Sequence, residues 1–189
     1  LSDETFNKCS ALKQVTLPET MESIGQKAFA ESGITSITLS DNVKKINASA
    51  FNASKQLEKV VCGKNLETIG GNAFEGCSGL KNITLPGGLK TIGSKTFYGC
   101  DKLTELAIPN SVTTLGNNVF ENCEHLTKIT LGNGLTAIPN YAFNKCYDLE
   151  EIVVPYKVES IGKGAFNECA SLTKITIPSA TKSIASDAF

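Results

Sequence analysis

Residues 80–100 read LKNITLPGGLKTIGSKTFYGC, and the same order of apolar, glycine and proline positions returns along the whole chain. The nine phenylalanines mark the period most clearly, because successive ones are 23 residues apart except for one step of 22. They are Phe6, Phe29, Phe51, Phe74, Phe97, Phe120, Phe143, Phe166 and Phe189. A regular period of about 20–29 residues predicts a solenoid of stacked, similar coils.

Each repeat contains an alternating apolar and polar segment, such as Ile83 to Leu85, that is rich in β-branched residues. This alternation predicts one short strand per repeat with one buried face. Stacking these strands would give a parallel sheet. On the return side, Ala73, Phe74 and Cys77 have the spacing of a single helical or 3₁₀ turn. The predicted fold is therefore an α/β solenoid, a right-handed coil with the sheet on its concave face and short turns or 3₁₀ segments on its convex face.

The repeats run without interruption from residue 1 to residue 189, which predicts a single array of about eight units. One unit is too small to bury its own apolar face, so its stability has to come from neighbouring coils. Both ends of the chain fall inside the repeat pattern. We therefore expect the chain to be a segment of a longer protein.

A glycine follows the last isoleucine in most of the repeats, as at Gly25, Gly70, Gly93, Gly116 and Gly162. A left-handed backbone would favour glycine in this position. However, Pro139 occupies the same position in another repeat, and proline cannot adopt a positive φ. A lack of space for a side chain is the alternative explanation, and the sequence leaves both open.

The cysteines that follow phenylalanine by three positions share the repeat spacing, namely Cys9, Cys77, Cys100, Cys123, Cys146 and Cys169. A zinc site is not expected, because His125 is the only histidine and no C-x-x-C pair occurs. A disulfide ladder would need Cβ atoms within about 3.5–4.5 Å, whereas stacked coils hold them about 4.8 Å apart. Ser32 and Ser54 take the same position. We therefore predict buried free thiols that pack as small apolar side chains.

The composition excludes several classes of function. The formal net charge is −1 and every basic residue is a lysine, which disfavours nucleic-acid binding. No apolar run reaches the roughly 18 residues of a membrane helix, so no membrane insertion is expected within this segment. His125 has no partner at catalytic spacing, and no phosphate-binding loop occurs. The sequence thus predicts neither an enzyme nor a cofactor.

The unit L-x-x-I-x-L-P, followed by I-G-x-x-A-F-x-x-C, resembles the BspA-like, or treponemal-type, leucine-rich repeats, and the resemblance covers the whole chain. It implies a surface or secreted protein, and hence an extracellular or cell-surface location. Several proteins of this family act as adhesins towards host matrix proteins or other cells. The resemblance therefore implies a protein ligand, such as host extracellular matrix or another cell-surface protein.

Polar residues at the first position of each strand are predicted to face outward. This series is Gln14, Ser36, Lys59, Asn82, Glu105, Lys128, Glu151 and Lys174, of which the last six are the candidate site residues. Tyr156 follows the end of one strand and is the preferred aromatic anchor, since tyrosine is enriched at interfaces. We interpret these residues as a broad protein-binding face. The alternatives are a solvated face whose Lys and Glu side chains pair with each other, and a structural spacer that presents another domain.

Overall fold

The computed structural model describes residues 1–189 as a right-handed parallel β-solenoid of about seven turns. Each complete coil carries a three-residue strand, a two-residue strand and a segment of turns around its phenylalanine. The strands are β1 (Ser23–Ile24), β2 (Ser36–Thr38), β3 (Lys45–Ile46), β4 (Lys59–Val61), β5 (Thr68–Ile69), β6 (Asn82–Thr84), β7 (Thr91–Ile92), β8 (Glu105–Ala107), β9 (Thr114–Leu115), β10 (Lys128–Thr130), β11 (Ala137–Ile138), β12 (Glu151–Val153), β13 (Ser160–Ile161), β14 (Lys174–Thr176) and β15 (Ser183–Ile184).

The structure contains no helix, so the α/β assignment and the expected helical or 3₁₀ turn are wrong. The residues two before and two after each phenylalanine have positive φ, as at Asn72 (φ 59°) and Gly76 (φ 67°) on either side of Phe74. Each turn segment therefore contains two left-handed residues four positions apart, and a right-handed helix cannot propagate through them. The N–H of Phe74 instead donates to the Thr96 carbonyl of the next coil, at 2.9 Å.

The even-numbered strands are those that the sequence predicts, and the odd-numbered strands were not expected. The even strands form the sheets β2-β4-β6 and β8-β10-β12-β14, and the odd strands form β1-β3-β5-β7-β9 and β11-β13-β15. All strand pairs are parallel and join residues 22 or 23 positions apart, such as Lys59 with Asn82. The solenoid therefore has two strand faces, and each is interrupted once, between β6 and β8 and between β9 and β11.

The interruption between β9 and β11 has a local cause. The residue that directly follows an odd strand normally donates its N–H to the preceding coil, as Gly93 does to Ile69 O at 2.9 Å and Gly162 to Ile138 O at 2.8 Å. Pro139 follows β11 and has no N–H to donate. Pro139 therefore removes one of the bonds that would link β11 to β9; the Thr136 N–H also has no acceptor, whereas Thr113 N–H at the same position donates to Lys90 O at 3.0 Å.

The phenylalanine side chains form the centre of the core, as predicted. Neighbouring rings stack with centroids 5.1–5.6 Å apart along the whole array. The rings from Phe29 to Phe166 are at most 2% exposed. A single apolar cluster extends from Ile24 to Ala188, so each coil is stabilised by contact with its neighbours.

The structure decides between the two explanations for the repeated glycine. None of the five glycines has a positive φ. A Cβ atom added to Gly70 would lie 2.6 Å from the Ala48 backbone N, and one added to Gly162 would lie 2.6 Å from the Asn140 backbone N. The position therefore favours glycine because the preceding coil leaves little space, and not because of a left-handed backbone.

Candidate functional site

The predicted site residues lie along one edge of the even strands. We call Lys59, Asn82, Glu105, Lys128, Glu151 and Lys174 the polar ladder. Each is the exposed first residue of its strand. Lys59 is in register with Asn82, and Glu105, Lys128, Glu151 and Lys174 follow one another in register. The alternating pattern thus places these side chains on one face, as predicted; their role in binding stays a prediction.

Most charged groups of the polar ladder are not paired with each other. The one ion pair joins Lys174 and Glu151 at 3.9 Å, with both side chains more than half exposed. Lys128 lies between Glu105 and Glu151 in register, yet it forms no ion pair within 4.0 Å. Lys59, Glu105 and Lys128 therefore have no ion-pair partner within the chain.

Ion pairs between neighbouring coils occur instead at positions outside the polar ladder. Lys81 contacts Glu58 at 3.0 Å, and Lys90 contacts Glu67 at 2.9 Å. The hydrogen bond from Lys90 lowers the pKa of the Glu67 carboxyl below its ordinary value. These pairs are exposed, so each contributes little to the stability of the array.

A depression of about 430 Å³ opens in the polar ladder at the point where β6 and β8 do not pair. Its lining includes Asn82, Thr84, Glu105, Ala107 and Lys128. The sequence contains no signal for this depression, because it depends on missing strand pairing between two coils.

Tyr156 lies in the loop between β12 and β13, with 60% of its surface exposed and the Lys157 Nζ 5.5 Å from its ring centroid. The other tyrosines of the last third lie in turn segments. The Tyr141 ring covers Gly164, where an added Cβ would be 2.5 Å away. The Tyr147 hydroxyl is 3.5 Å from the Glu168 carboxylate. Tyr156 is therefore the most exposed of the three candidates.

A second polar depression, of about 470 Å³, lies on the turn side and was missed by the sequence reasoning. Tyr98 and Tyr147 line it together with Asn122, whose amide donates to the Tyr98 hydroxyl at 2.7 Å. These residues follow phenylalanines by one, four and two positions. The two tyrosines stand at different positions of repeats two periods apart, so no single ladder of the sequence joins them.

The cysteine ladder has a hydrogen-bonding role that the sequence did not indicate. All seven cysteines are free. The Cys77 thiol donates to the Phe51 carbonyl at 3.0 Å, and the Cys123 thiol donates to the Phe97 carbonyl at 3.0 Å. The Ser54 hydroxyl makes the same bond to Phe29 O. The position thus selects a small side chain that is also a donor, so the description as a purely apolar filler is incomplete.

Burial was expected for every cysteine of this ladder, and Cys9 is an exception. Its side chain is exposed. Cys169 is partly buried, and the remaining members are fully buried.

We expect Cys9 alone to react rapidly with a thiol reagent in the native protein, because it is the exposed cysteine and reactive thiols need access to the reagent. Burial raises the pKa of Cys77, Cys123 and Cys169 to about 12. Unfolding returns these thiols towards a pKa of 9.0, so all seven should then titrate. The same raised pKa values stabilise the fold below pH 9 and predict a loss of stability between pH 9 and about 12. Rapid native labelling of a second thiol would contradict this prediction.

His125 contacts Asp148 at 2.9 Å on the surface, and this hydrogen bond raises its pKa. No group of three or more His, Cys, Asp or Glu side chains is arranged to hold a metal ion. The structure also contains no helix of the length and apolar character needed to cross a membrane.

Comparison with known proteins places this geometry in context. The chain matches the BspA type leucine rich repeat region in six copies, over residues 1–90 and 71–189. A leucine-rich cell surface protein from Faecalibacterium prausnitzii is 32% identical, with a TM-score of 0.76. That match covers 85% of this chain, which spans 43% of the length of that protein. No curated protein matches significantly.

Two further solved structures share the fold. A leucine-rich repeat protein from T. pallidum is 28% identical with a TM-score of 0.76, over 79% of this chain and 72% of that one. The pneumococcal vaccine antigen PcpA, at 21% identity and a TM-score of 0.61 over 97% of this chain and 58% of that one, shows the same fold. The repeat unit, its stacking and the family match over the whole chain agree: the chain belongs to the BspA type leucine rich repeat family.

Proposed function

We propose that this chain is a non-enzymatic extracellular or cell-surface module that binds a protein ligand through the polar ladder and Tyr156, in the manner of an adhesin. A cell-surface location is supported by the similar F. prausnitzii protein, which is described as a leucine-rich cell surface protein. The proposed ligand is a host extracellular-matrix protein or another cell-surface protein.

The observation that carries the proposal is the unpaired charge in the polar ladder. Lys128 has a carboxylate in register on each side and forms an ion pair with neither. Lys128 also lines the depression beside β8. A protein ligand could therefore pair with these charges without first breaking contacts within the solenoid, which favours specific docking.

The test is a binding assay of the immobilised chain against a panel of purified matrix proteins. A double variant, Lys128→Glu with Tyr156→Ala, is expected to weaken saturable binding by about tenfold or more. Lys55→Glu is the matched control, because Lys55 is exposed on the turn side and undergoes the same charge change. Equal losses in the double variant and the control would contradict the proposed face.

A spacer that presents another domain is the second candidate function. The phenylalanine rings stack without a gap from Phe6 to Phe189. This continuous stack favours the spacer, because it gives a long array with a similar cross-section along its length. The binding assay distinguishes the two functions. Saturable binding that depends on Lys128 and Tyr156 supports the adhesin, and an absence of binding across the panel supports the spacer.

A further inference from the structure

We infer that the coil formed by residues 103–123 is a bend point of the solenoid. This coil carries β8, β9 and Phe120. At each of its two junctions with a neighbouring coil, the strands pair on one strand face, which we call closed, and do not pair on the other, which we call open. The inference concerns the mechanics of the array and is independent of the proposed ligand.

The junction towards the N-terminus is open on the even-strand face. No pairing joins β6 to β8, whereas β7 pairs with β9 through Thr91–Thr114 and Ile92–Leu115. The turn side is also closed, since the Lys95 N–H donates to Asn117 O at 2.9 Å.

The backbone N–H of Thr104, just before β8, shows this opening: it has no acceptor, whereas Lys81 and Thr127 at the same position donate to Glu58 O at 3.0 Å and Thr104 O at 2.9 Å. The 430 Å³ depression lies at this opening.

The junction towards the C-terminus is open on the other face. Pairing is missing between β9 and β11, where Pro139 lacks the N–H that would donate to the preceding coil. On the even-strand face, β8 and β10 pair over three residues, from Glu105–Lys128 to Ala107–Thr130. The rings of Phe120 and Phe143 stay stacked at 5.4 Å.

Opening the first junction about its closed side breaks no backbone hydrogen bond. Opening the second breaks one, from Asn140 N–H to Asn117 Oδ1 at 3.2 Å, so motion at both meets less resistance than at a fully paired junction. Because the two openings lie on different faces, they permit bending in two directions within one coil. Movement at the first opening changes the distance between Asn82 and Glu105, so the polar ladder can adjust its curvature.

Spin-label distance measurements test the first opening. The pair Asn82→Cys and Lys128→Cys spans β6, β8 and β10, and the control pair Ser36→Cys and Asn82→Cys spans β2, β4 and β6, which are fully paired. Both are made with Cys9→Ser, which removes the exposed thiol. We expect a distance distribution about twofold broader for the first pair. Equal widths would overturn the bend point.

The second opening is tested by restoring the missing donor. The pair Thr114→Cys and Ser160→Cys spans β9, β11 and β13. Pro139→Gly should narrow its distribution, by about twofold, to that of a control pair, Thr68→Cys and Thr114→Cys, across fully paired strands. An unchanged width after this substitution would show that the missing N–H does not create the second opening.

Discussion

Replacing Phe97 by alanine is expected to lower the free energy of unfolding by about 3–5 kcal/mol. The ring is fully buried and stacks on Phe74 at 5.6 Å and on Phe120 at 5.4 Å. Its removal leaves a cavity between three coils and interrupts the stack on both sides. Because the covalent connection between coils cannot shorten, the neighbouring rings can close this cavity only in part.

Urea denaturation of the full chain measures this loss. Phe189→Ala is the matched control, because the same side chain is 53% exposed at the end of the stack and has one neighbouring ring. Phe189→Ala should lower the free energy of unfolding clearly less than Phe97→Ala does. Similar losses in the two variants would mean that the central stack is not the main source of stability.

Replacing Cys123 by alanine is expected to destabilise the protein by about 1–3 kcal/mol, whereas Cys123→Ser should cost less. The thiol is fully buried and donates to the Phe97 carbonyl at 3.0 Å. Serine retains a small donor, as Ser54 does naturally when it bonds Phe29 O. Alanine removes both the donor and the volume of the sulfur atom.

The same denaturation experiment separates the two explanations of this position. If the position needs only a small apolar filler, alanine should be tolerated at least as well as serine. If it needs a donor, serine should be the better replacement. Cys9→Ala is the control for the loss of a thiol, because the Cys9 side chain is exposed and its thiol, unlike that of Cys123, donates to no carbonyl.

The proposed binding face and the bend point act on the same surface. Asn82 and Glu105 belong to the polar ladder and line the depression where β6 and β8 separate. A ligand that contacts both sides of the opening would fix its width and lose part of its binding free energy to this ordering. The two experiments stay separable, since the spin-label measurement requires no ligand.

The extra strand and the absence of helix could not be read from the residues. Left-handed backbone occurs at Lys27, Ser49, Asn72 and Lys95, which are side chains with no common preference for positive φ. The cost of this conformation is about 1–2 kcal/mol per residue. It is offset by bonds to the next coil, such as that from Asn72 N–H to Ser94 O at 2.8 Å.

The period, the inward phenylalanines, the unpaired cysteines and the outward polar ladder could all be predicted from the amino-acid sequence. These features follow from the spacing of residues and from the alternation of apolar and polar residues, and both recur in every repeat. Only the tertiary structure decided the sign of φ around each phenylalanine, the donor role of the cysteines, the space at the glycines and the two openings around residues 103–123. Each of these depends on atoms of neighbouring coils, about one repeat apart in sequence, whose approach is set by packing and by backbone hydrogen bonds between coils.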